Sequence, residues 1–307
     1  MKILFMGTPD FAAEVLIKLA EAGFDVVGAV SQPDKPKGRG HKVVPTDVKK
    51  VALERGIPVS QPEKLKNGEL QPILDELAPD IIIVAAYGKI LPPYIIEYPK
   101  YGCLNVHASL LPKYRGAAPI QRAIINGDKK TGVTIMKMDN GLDTGDMLLK
   151  SETEIGEYET AEELFDRLAV MGGELIIEAV KNIDNLVGEK QNDSDSSYAP
   201  MIKKTDGKID WTKSSAEITK LVCGMNSWPL AYTFYKGQTL KIVEAIKYNA
   251  HGRPGEILEL KKNEGLVVSC GDGAVCIKTA QFAGSRKMNI EDYARGHEIE
   301  TGIILGV

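Results

Sequence analysis

Short apolar runs alternate with amphipathic segments along the first 183 residues of the chain. The runs at 2–6, 25–31 and 80–86 have the apolar character of buried strands, and the segments between them place apolar residues at helical spacing. A further strand is predicted to carry Asn105 and His107, and others are predicted at 132–139 and 146–154. A helix is predicted to follow residues 7–10 and to stop at Gly23, and further helices are predicted at 46–55, 69–77, 117–126 and 160–183. This alternation is typical of a doubly wound, mostly parallel sheet with helices on both faces. We therefore predict an α/β first domain with a Rossmann-like architecture.

The hydrophobic pattern changes after residue 187. Residues 188–208 are polar and poor in β-branched side chains, which is typical of a linker. Beyond one predicted helix at 215–225, five short strands with turn residues between them follow, at 231–235, 239–246, 256–260, 265–270 and 274–281. Such spacing favours a small, closed or partly closed β-barrel. The predicted organisation is a first domain at 1–187, a linker at 188–208 and a β-barrel domain at 209–307.

Charge is distributed unevenly along the chain. The formal net charge is −4, but the first 200 residues are acidic by 7 charges and the remaining residues are basic by 3. Within the acidic part, residues 34–50 form a basic segment with glycine and proline, which suits contact with phosphates, although charged loops are usually only solvated. The four cysteines lack metal-ligand spacing, and no apolar stretch is long enough to span a bilayer. We expect a cytoplasmic protein without a metal, a disulfide framework or a membrane partner.

An amide and an imidazole stand two positions apart where a predicted strand ends. Asn105 and His107 project from one face of that strand because side chains alternate along extended backbone. Ligands of open α/β sheets bind at strand ends, although a polar pair in this place can also simply cap the strand. The loop after the first strand lacks Gly-x-Gly-x-x-Gly, and no Gly-Lys-Ser/Thr loop is present. NAD and ATP are therefore poorly supported, and we expect no nucleotide cofactor.

Asp143 is the expected partner of His107, since it lies in a glycine-punctuated loop after the next strand of the same sheet. A carboxylate against one ring nitrogen would orient the imidazole and favour its charged form, leaving the other nitrogen to act on a substrate. Two donors aimed at one developing oxyanion suit transfer of an acyl-type group, and no serine or cysteine is placed as a nucleophile. Alternatively, Asp143 shapes only its own loop. Metal ligation by His107 and Asp143 would lack recognisable further ligands.

These residues carry a resemblance to a known family. Asn-x-His followed by Ser-Leu-Leu-Pro-Lys-Tyr-Arg-Gly at 109–116, with Gly-Leu-Asp-Thr-Gly at 141–145, resembles the 10-formyltetrahydrofolate-dependent formyltransferases. Gly-Thr-Pro-Asp-Phe at 7–11, Gln-Pro-Asp-Lys-Pro at 32–36 and Arg-Gly-Ala-Ala-Pro-Ile-Gln at 115–121 are similar to the branch that formylates methionyl initiator tRNA. The likeness runs the full length and includes Ile-Asp-Trp at 209–211 and Gly-Arg-Pro-Gly at 252–255.

The resemblance implies a complete set of site residues. The catalytic residues would be Asn105, His107 and Asp143. The folate pocket that holds the formyl donor, 10-formyltetrahydrofolate, would be formed by Gly88, Lys89, Ile90, Leu91, Ser109, Leu110, Leu111, Pro112 and Asp139. Contacts to the initiator tRNA would come from Lys35, Lys37, Arg39, Lys42, Lys203, Lys204 and Lys208. The resemblance also implies that the C-terminal barrel is OB-like, and we expect a monomer.

Three other functions are compatible with parts of the pattern. A related formyltransferase could act on a small amine, such as an amino sugar nucleotide or glycinamide ribonucleotide, but a small substrate requires neither the basic insertion nor the added barrel. A folate-binding or RNA-binding module without activity would not require Asn105, His107 and Asp143 together. Hydrolysis of the formyl donor by water is the third alternative.

Overall fold

The computed structural model describes residues 1–37 and 42–306, which fall into two compact units. The first unit consists of Met1–Pro119, Thr131–Thr153 and Phe165–Ala199, and the second of Ile120–Lys130, Glu154–Leu164 and Pro200–Val307. Among the described residues, no helix is both long and apolar enough to cross a bilayer. The boundaries predicted at 187 and 208 stay a prediction.

Strands and helices alternate along the first 200 residues, as the apolar pattern predicts. The strands are β1 (Lys2–Gly7), β2 (Asp25–Val30), β3 (Lys35–Lys37), β4 (Lys42–Val44), β5 (Val59–Ser60), β6 (Ile81–Ala85), β7 (Cys103–His107), β8 (Arg115–Gly116), β9 (Lys130–Lys137), β10 (Met147–Glu154) and β11 (Tyr198–Ala199). The helices are α1 (Asp10–Glu21), α2 (Asp47–Glu54), α3 (Gln71–Leu77), α4 (Pro93–Ile96), α5 (Pro119–Ile125) and α6 (Ala161–Lys181). Short 3₁₀ turns occupy Lys66–Gly68, Ile183–Asn185, Asp193–Asp195 and Lys204–Gly207.

A seven-stranded sheet forms the centre of the first unit, in the order β10-β9-β7-β6-β1-β2-β5. The neighbouring strands from β7 to β5 are parallel, whereas β9 runs antiparallel to β7. Two smaller pairs accompany this sheet: β3 with β4, and β8 with β11. The predicted doubly wound, mostly parallel fold is confirmed.

Both faces of β1 are covered. Leu4 and Met6 join a core cluster with Leu74 of α3 and Ile95 of α4, while the alternate residues Ile3 and Phe5 are equally buried on the opposite face. The turn from β1 into α1 requires Gly7, because a Cβ at that position would lie 2.5 Å from the Cβ of Ala12. Close packing of α1 on the sheet thus accounts for Gly7, and the glycine does not require a bound dinucleotide.

After residue 200, the second unit contains a predominantly antiparallel sheet. Its strands are β12 (Ala231–Tyr235), β13 (Gln238–Tyr248), β14 (Ile257–Lys261), β15 (Gly265–Ser269), β16 (Ala274–Phe282) and β17 (Met288–Asn289), and this part of the chain also forms the helices α7 (Ser215–Gly224) and α8 (Ile290–Ala294). The strand order is β12-β13-β16-β15-β14, and β17 pairs with β16. The five predicted strands are confirmed, whereas β17 and α8 had no clear signal in the sequence.

Candidate active site

Asn105 and His107 lie on β7, the last parallel strand of the central sheet. The backbone of Asn105 pairs with Val84 of β6 on one side and with Met136 of β9 on the other. His107 is 5% exposed, and Asn105 is half-buried. Both side chains approach the carboxylate of Asp143, which shows that they face the same way.

The Asp143 carboxylate lies between the amide and the imidazole. Its Oδ1 is 3.5 Å from Nδ2 of Asn105, and its Oδ2 is 3.7 Å from Nδ1 of His107. Oδ2 also accepts a hydrogen bond from the backbone N–H of Gly116 at 2.9 Å. The side chain of Asp143 is only 15% exposed, so these interactions are shielded from solvent. The structure therefore brings the three residues of the expected catalytic set together.

The route by which Asp143 reaches His107 differs from the expected one. We expected neighbouring strand ends to bring the two residues together, but β9 is antiparallel to β7, and its last residue, Lys137, pairs with Leu104 near the start of β7. At about 3.3 Å per residue, that position lies roughly 10 Å along the strand from His107. The loop between β9 and β10 must therefore fold back along β7.

The second ring nitrogen of His107 is not free, contrary to our expectation. Its Nε2 lies 3.0 Å from the backbone oxygen of Tyr114. A carbonyl oxygen can only accept, so Nε2 carries a proton in this interaction. Nδ1, the nitrogen that faces Asp143, is consequently the one available for chemistry.

Gln191 holds the loop that carries Asp143. Its Nε2 donates to the backbone oxygens of Asp143 and Gly145, both at 2.8 Å, and its Oε1 accepts from Nε of Arg115 at 2.9 Å. The guanidinium of Arg115 also pairs with Asp193 at 2.9 Å. Sequence reasoning missed Gln191, since an isolated glutamine in a polar stretch carries no recognisable signal.

Ser197 holds the chain next to His107. Its Oγ accepts from the backbone N–H of Tyr114 at 2.9 Å, and its backbone oxygen accepts from the N–H of Arg115 at 2.8 Å. The next two residues form β11, which pairs with β8. Residues 189–199, hereafter the bracket segment, lie within the predicted linker and contact the candidate site.

Comparison with known proteins identifies the family. A family model described as formyl transferase matches residues 1–180, and a second, described as formyl transferase, C-terminal domain, matches residues 201–298. The chain belongs to the formyl transferase family. It is 51% identical to a methionyl-tRNA formyltransferase of Caldanaerobacter subterraneus over 99% of this chain and 100% of that protein. It is 48% identical to one of Geobacter metallireducens, over 100% and 99% respectively.

A solved structure supports the fold of this formyl transferase. HypX from Aquifex aeolicus, in complex with tetrahydrofolic acid, matches with a TM-score of 0.65 and 19% identity. The match covers 96% of this chain but 47% of HypX, so the chain spans about half the length of that protein.

The loop after β7 contains four of the residues that the resemblance placed in a folate pocket. Ser109 and Leu111 are buried, whereas Leu110 and Pro112 are half-buried. The Ser109 hydroxyl donates to the backbone oxygen of Lys113 at 2.7 Å, so it is occupied inside its own loop. In this formyl transferase the loop is internally hydrogen-bonded, and of these four residues Leu110 and Pro112 provide accessible surface.

The other expected pocket residues lie on two further loops. Gly88 and Ile90 are exposed, with Ile90 87% exposed, while Lys89 donates to the backbone oxygen of Glu63 at 2.8 Å and Leu91 is buried. Asp139 accepts from the Thr144 hydroxyl at 2.8 Å and from the N–H of Gly141 at 2.9 Å. Asp139 therefore shapes the loop that carries Asp143.

The expected tRNA contacts fall in both units of the formyl transferase. Lys35 is exposed on β3, Lys37 and Lys42 belong to β3 and β4, and Arg39 lies outside the described residues. Lys203, Lys204 and Lys208 are exposed, and Nζ of Lys208 lies 5.9 Å from the ring centroid of Phe234.

A half-buried ion pair anchors the base of the β3–β4 hairpin. Nζ of Lys49 contacts Asp34 at 2.6 Å and Oε1 of Gln61 at 2.7 Å, while Nε2 of Gln61 donates to Asp34 at 2.7 Å. These bonds lower the pKa of Asp34, with the hydrogen bond from Lys49 as the largest cause. The positive charge of Lys49 is thus balanced within the protein, and the sequence-level charge of the 34–50 segment overstates what it presents to a partner.

Proposed function

We propose that this protein transfers the formyl group of 10-formyltetrahydrofolate to the free amino group of methionyl initiator tRNA, in the cytoplasm, for translation initiation. The observation that carries the proposal is the shielded Asp143 carboxylate between the Asn105 amide and the His107 ring. Full-length identity of 48–51% to proteins named methionyl-tRNA formyltransferase supports this acceptor. The tetrahydrofolic acid bound to HypX supports a folate donor.

The nucleophile in this reaction has to arrive with the substrate. Of the described residues near β7, Ser109 has its hydroxyl bonded inside its own loop. Burial raises the pKa of the Cys103 thiol to about 12, so this cysteine stays neutral near pH 7. The acceptor's own neutral amine therefore attacks the formyl carbon, and the protein's task is to stabilise the charge that develops on the formyl oxygen.

Asn105 and His107 are suited to that task because each of them lies near one anionic oxygen of the Asp143 carboxylate in the structure. Nδ2 of Asn105 and a proton on Nδ1 of His107 would donate to the developing oxyanion. The Tyr114 carbonyl holds the Nε2 proton of His107 in place, so Nδ1 is the position at which a proton is gained or lost. Asp143 balances the charge of the ring and assists proton movement. Collapse of the tetrahedral intermediate breaks the bond between the formyl carbon and the folate nitrogen, and that nitrogen leaves with a proton while the attacking amine loses one.

Three loops would hold the folate donor, which supplies the formyl carbon. The exposed side chain of Ile90 offers an apolar face to a flat ring, and Gly88 beside it leaves the backbone accessible. The side chain of Pro112 and the loop shaped by Asp139 would complete the pocket.

The acceptor is expected to be an RNA because the chain presents exposed lysines in both units. Lys35 on the hairpin and Lys203, Lys204 and Lys208 in the second unit would contact phosphates, together with Lys37, Arg39 and Lys42. A small amine remains the alternative acceptor, but a small substrate does not require an added antiparallel domain, so the second unit favours tRNA over it.

The direct test supplies 10-formyltetrahydrofolate with each candidate acceptor: charged methionyl initiator tRNA, an amino sugar nucleotide, or glycinamide ribonucleotide. We expect formyl-methionyl-tRNA to form and the small amines to react at least a hundredfold more slowly. Rapid formylation of a small amine, or release of formate without any acceptor, would overturn the proposal.

Two variants separate chemistry from acceptor binding. His107→Ala removes an oxyanion donor and should lower kcat by about a hundred- to a thousandfold. Arg39→Ala should instead raise KM for tRNA with little change in KM for folate. Loss of one or two phosphate contacts should also reduce the salt dependence of KM for tRNA. Near-normal turnover by a folded His107→Ala protein would contradict the catalytic assignment.

A further inference from the structure

Gln191 directs both hydrogen-bond donors of its side-chain amide to the Asp143 loop. Both hydrogens of Nε2 are directed to backbone oxygens, those of Asp143 and Gly145, and Oε1 receives the Nε–H of Arg115. If Oε1 and Nε2 of Gln191 exchanged places, the oxygen would face two carbonyl oxygens and the NH₂ group would face a guanidinium. These partners therefore define the orientation of the Gln191 amide. A side chain with all of its hydrogen bonds directed to one loop and one arginine has little freedom to move.

The bond to Asp143 falls on a strained residue. Asp143 has a φ of +53°, in the left-handed region that side chains other than glycine rarely adopt. Such a conformation costs on the order of 1–3 kcal/mol and persists only where the surroundings hold it. Gln191 bonds to the carbonyl of this very residue, and Gly116 bonds to its carboxylate.

Ser197 acts in the same way on the other side of the site. Tyr114 also has a positive φ, +62°, and its N–H donates to Oγ of Ser197 while its carbonyl accepts from Nε2 of His107. The Ser197 hydroxyl is therefore separated from the imidazole ring by one residue, Tyr114. Its backbone oxygen holds Arg115, which in turn binds Gln191.

We propose that the bracket segment, residues 189–199, positions the catalytic groups: Gln191 sets the place of Asp143, and Ser197 sets the orientation of His107. Neither residue touches the reacting atoms, and both act through a backbone peptide. The inference rests on the proposed function, because it presupposes that Asp143 and His107 carry the reaction. It assigns a role in catalysis to a stretch whose composition predicts only a linker.

The test measures formylation by the full chain carrying Gln191→Leu, Gln191→Glu, Ser197→Ala or Ser197→Thr. Gln191→Glu keeps the shape but loses both donors, and Ser197→Thr keeps the hydroxyl. We expect kcat to fall about ten- to a hundredfold in Gln191→Leu, Gln191→Glu and Ser197→Ala, as a displacement near 1 Å of catalytic groups can cause. KM for both substrates should stay within about threefold, and Ser197→Thr should recover most of the activity.

Matched controls come from the same chain. Gln71→Leu removes a glutamine amide that donates to Asp75 at 2.8 Å on the surface of α3, and Ser285→Ala removes a hydroxyl that donates to the backbone oxygen of Phe282 at 2.9 Å, outside the bracket segment. Both controls should keep wild-type kcat. The ¹⁵N and ¹H resonances of the His107 ring should shift in Ser197→Ala and not in Ser285→Ala.

The outcomes separate this inference from the proposed function. Wild-type kcat in Gln191→Glu and Ser197→Ala, with Asp143→Asn impaired, would refute the bracket and leave the catalytic set standing. Wild-type activity in Asp143→Asn as well would refute both. Turnover is measured well below each variant's unfolding midpoint. A loss of stability without a kcat difference between Ser197→Ala and Ser197→Thr also refutes the positioning role.

Discussion

Replacing Asp143 by asparagine removes one charge from the candidate site while leaving its shape nearly unchanged. Asparagine tolerates a positive φ about as well as aspartate does, so the strained loop conformation at +53° is retained. The amide also keeps one acceptor oxygen, which can receive the Gly116 N–H now bonded to the carboxylate. The substitution therefore tests the charge of Asp143 more than the fold around it.

The expected loss of kcat in Asp143→Asn follows from the distance between the Asp143 carboxylate and the His107 ring. Oδ2 of Asp143 lies 3.7 Å from Nδ1 of His107, and the two side chains are 15% and 6% exposed. Two unit charges at this separation attract by about 1 kcal/mol in water and by about 4 kcal/mol at an effective dielectric constant near 20. The low exposure favours the larger value. If His107 is charged in the transition state, losing this attraction in Asp143→Asn lowers kcat by roughly a hundred- to a thousandfold.

Single-turnover formylation of methionyl-tRNA at saturating folate gives this rate directly, because product release does not enter. Asp75→Asn, at an exposed carboxylate on α3, is the matched control and should react at the wild-type rate. Urea unfolding should place Asp143→Asn within about 1 kcal/mol of wild type. A rate within fivefold of wild type would refute the assumption that the shielded carboxylate supports a charged imidazole.

Three further predictions concern stability and reactivity. Gly116→Ala should destabilise the protein by more than Gly23→Ala, by about 1–3 kcal/mol in urea unfolding: both have positive φ, but only at Gly116 would a Cβ lie 2.7 Å from the backbone oxygen of Ala199. Hydrogen bonds from Lys49 and then Gln61 lower the pKa of Asp34 below 3.8, so their stabilisation is complete above about pH 4 and is lost as pH falls through the lower, folded value. Asp34→Asn should remove that part of the acid dependence. If the free energy of unfolding fell in parallel from pH 7 to pH 3 in the wild-type and Asp34→Asn proteins, this prediction would be contradicted. Burial raises the pKa of Cys103 to about 12, so the native protein should resist thiol reagents at pH 8 and react only at its unfolding rate; rapid labelling of Cys103, located by mass spectrometry, would count against this.

Local patterns account for most of the fold. The apolar run at 80–86 predicts β6, which the structure shows fully buried, and Thr160 and Glu163 make the reciprocal hydrogen bonds expected of a capping box before α6. The hairpin formed by β3 and β4 was missed, because two three-residue strands in a charged loop have no hydrophobic period.

The sequence allowed us to name candidate site residues but not to predict how the chain brings them together. Asn105 and His107 share a face because any strand places residues two apart on the same side, and that much is local. Sequence reasoning paired Asp143 with His107 through neighbouring strand ends, but the structure shows an antiparallel β9 and a loop that folds back. Strand direction depends on long-range pairing, which a local pattern does not contain.

The sequence by itself determined the alternation of strands and helices, the five short strands of the second part and the residue types available at the candidate site, since each depends on short spacing or composition. Only the tertiary structure decided which ring nitrogen of His107 faces Asp143 and which distant residues hold them both. Gln191 and Ser197 act through backbone carbonyl and amide groups, and any residue type supplies those groups. Such contacts leave no pattern along the chain, and they exist only when the polar stretch after residue 187 lies against the end of β7.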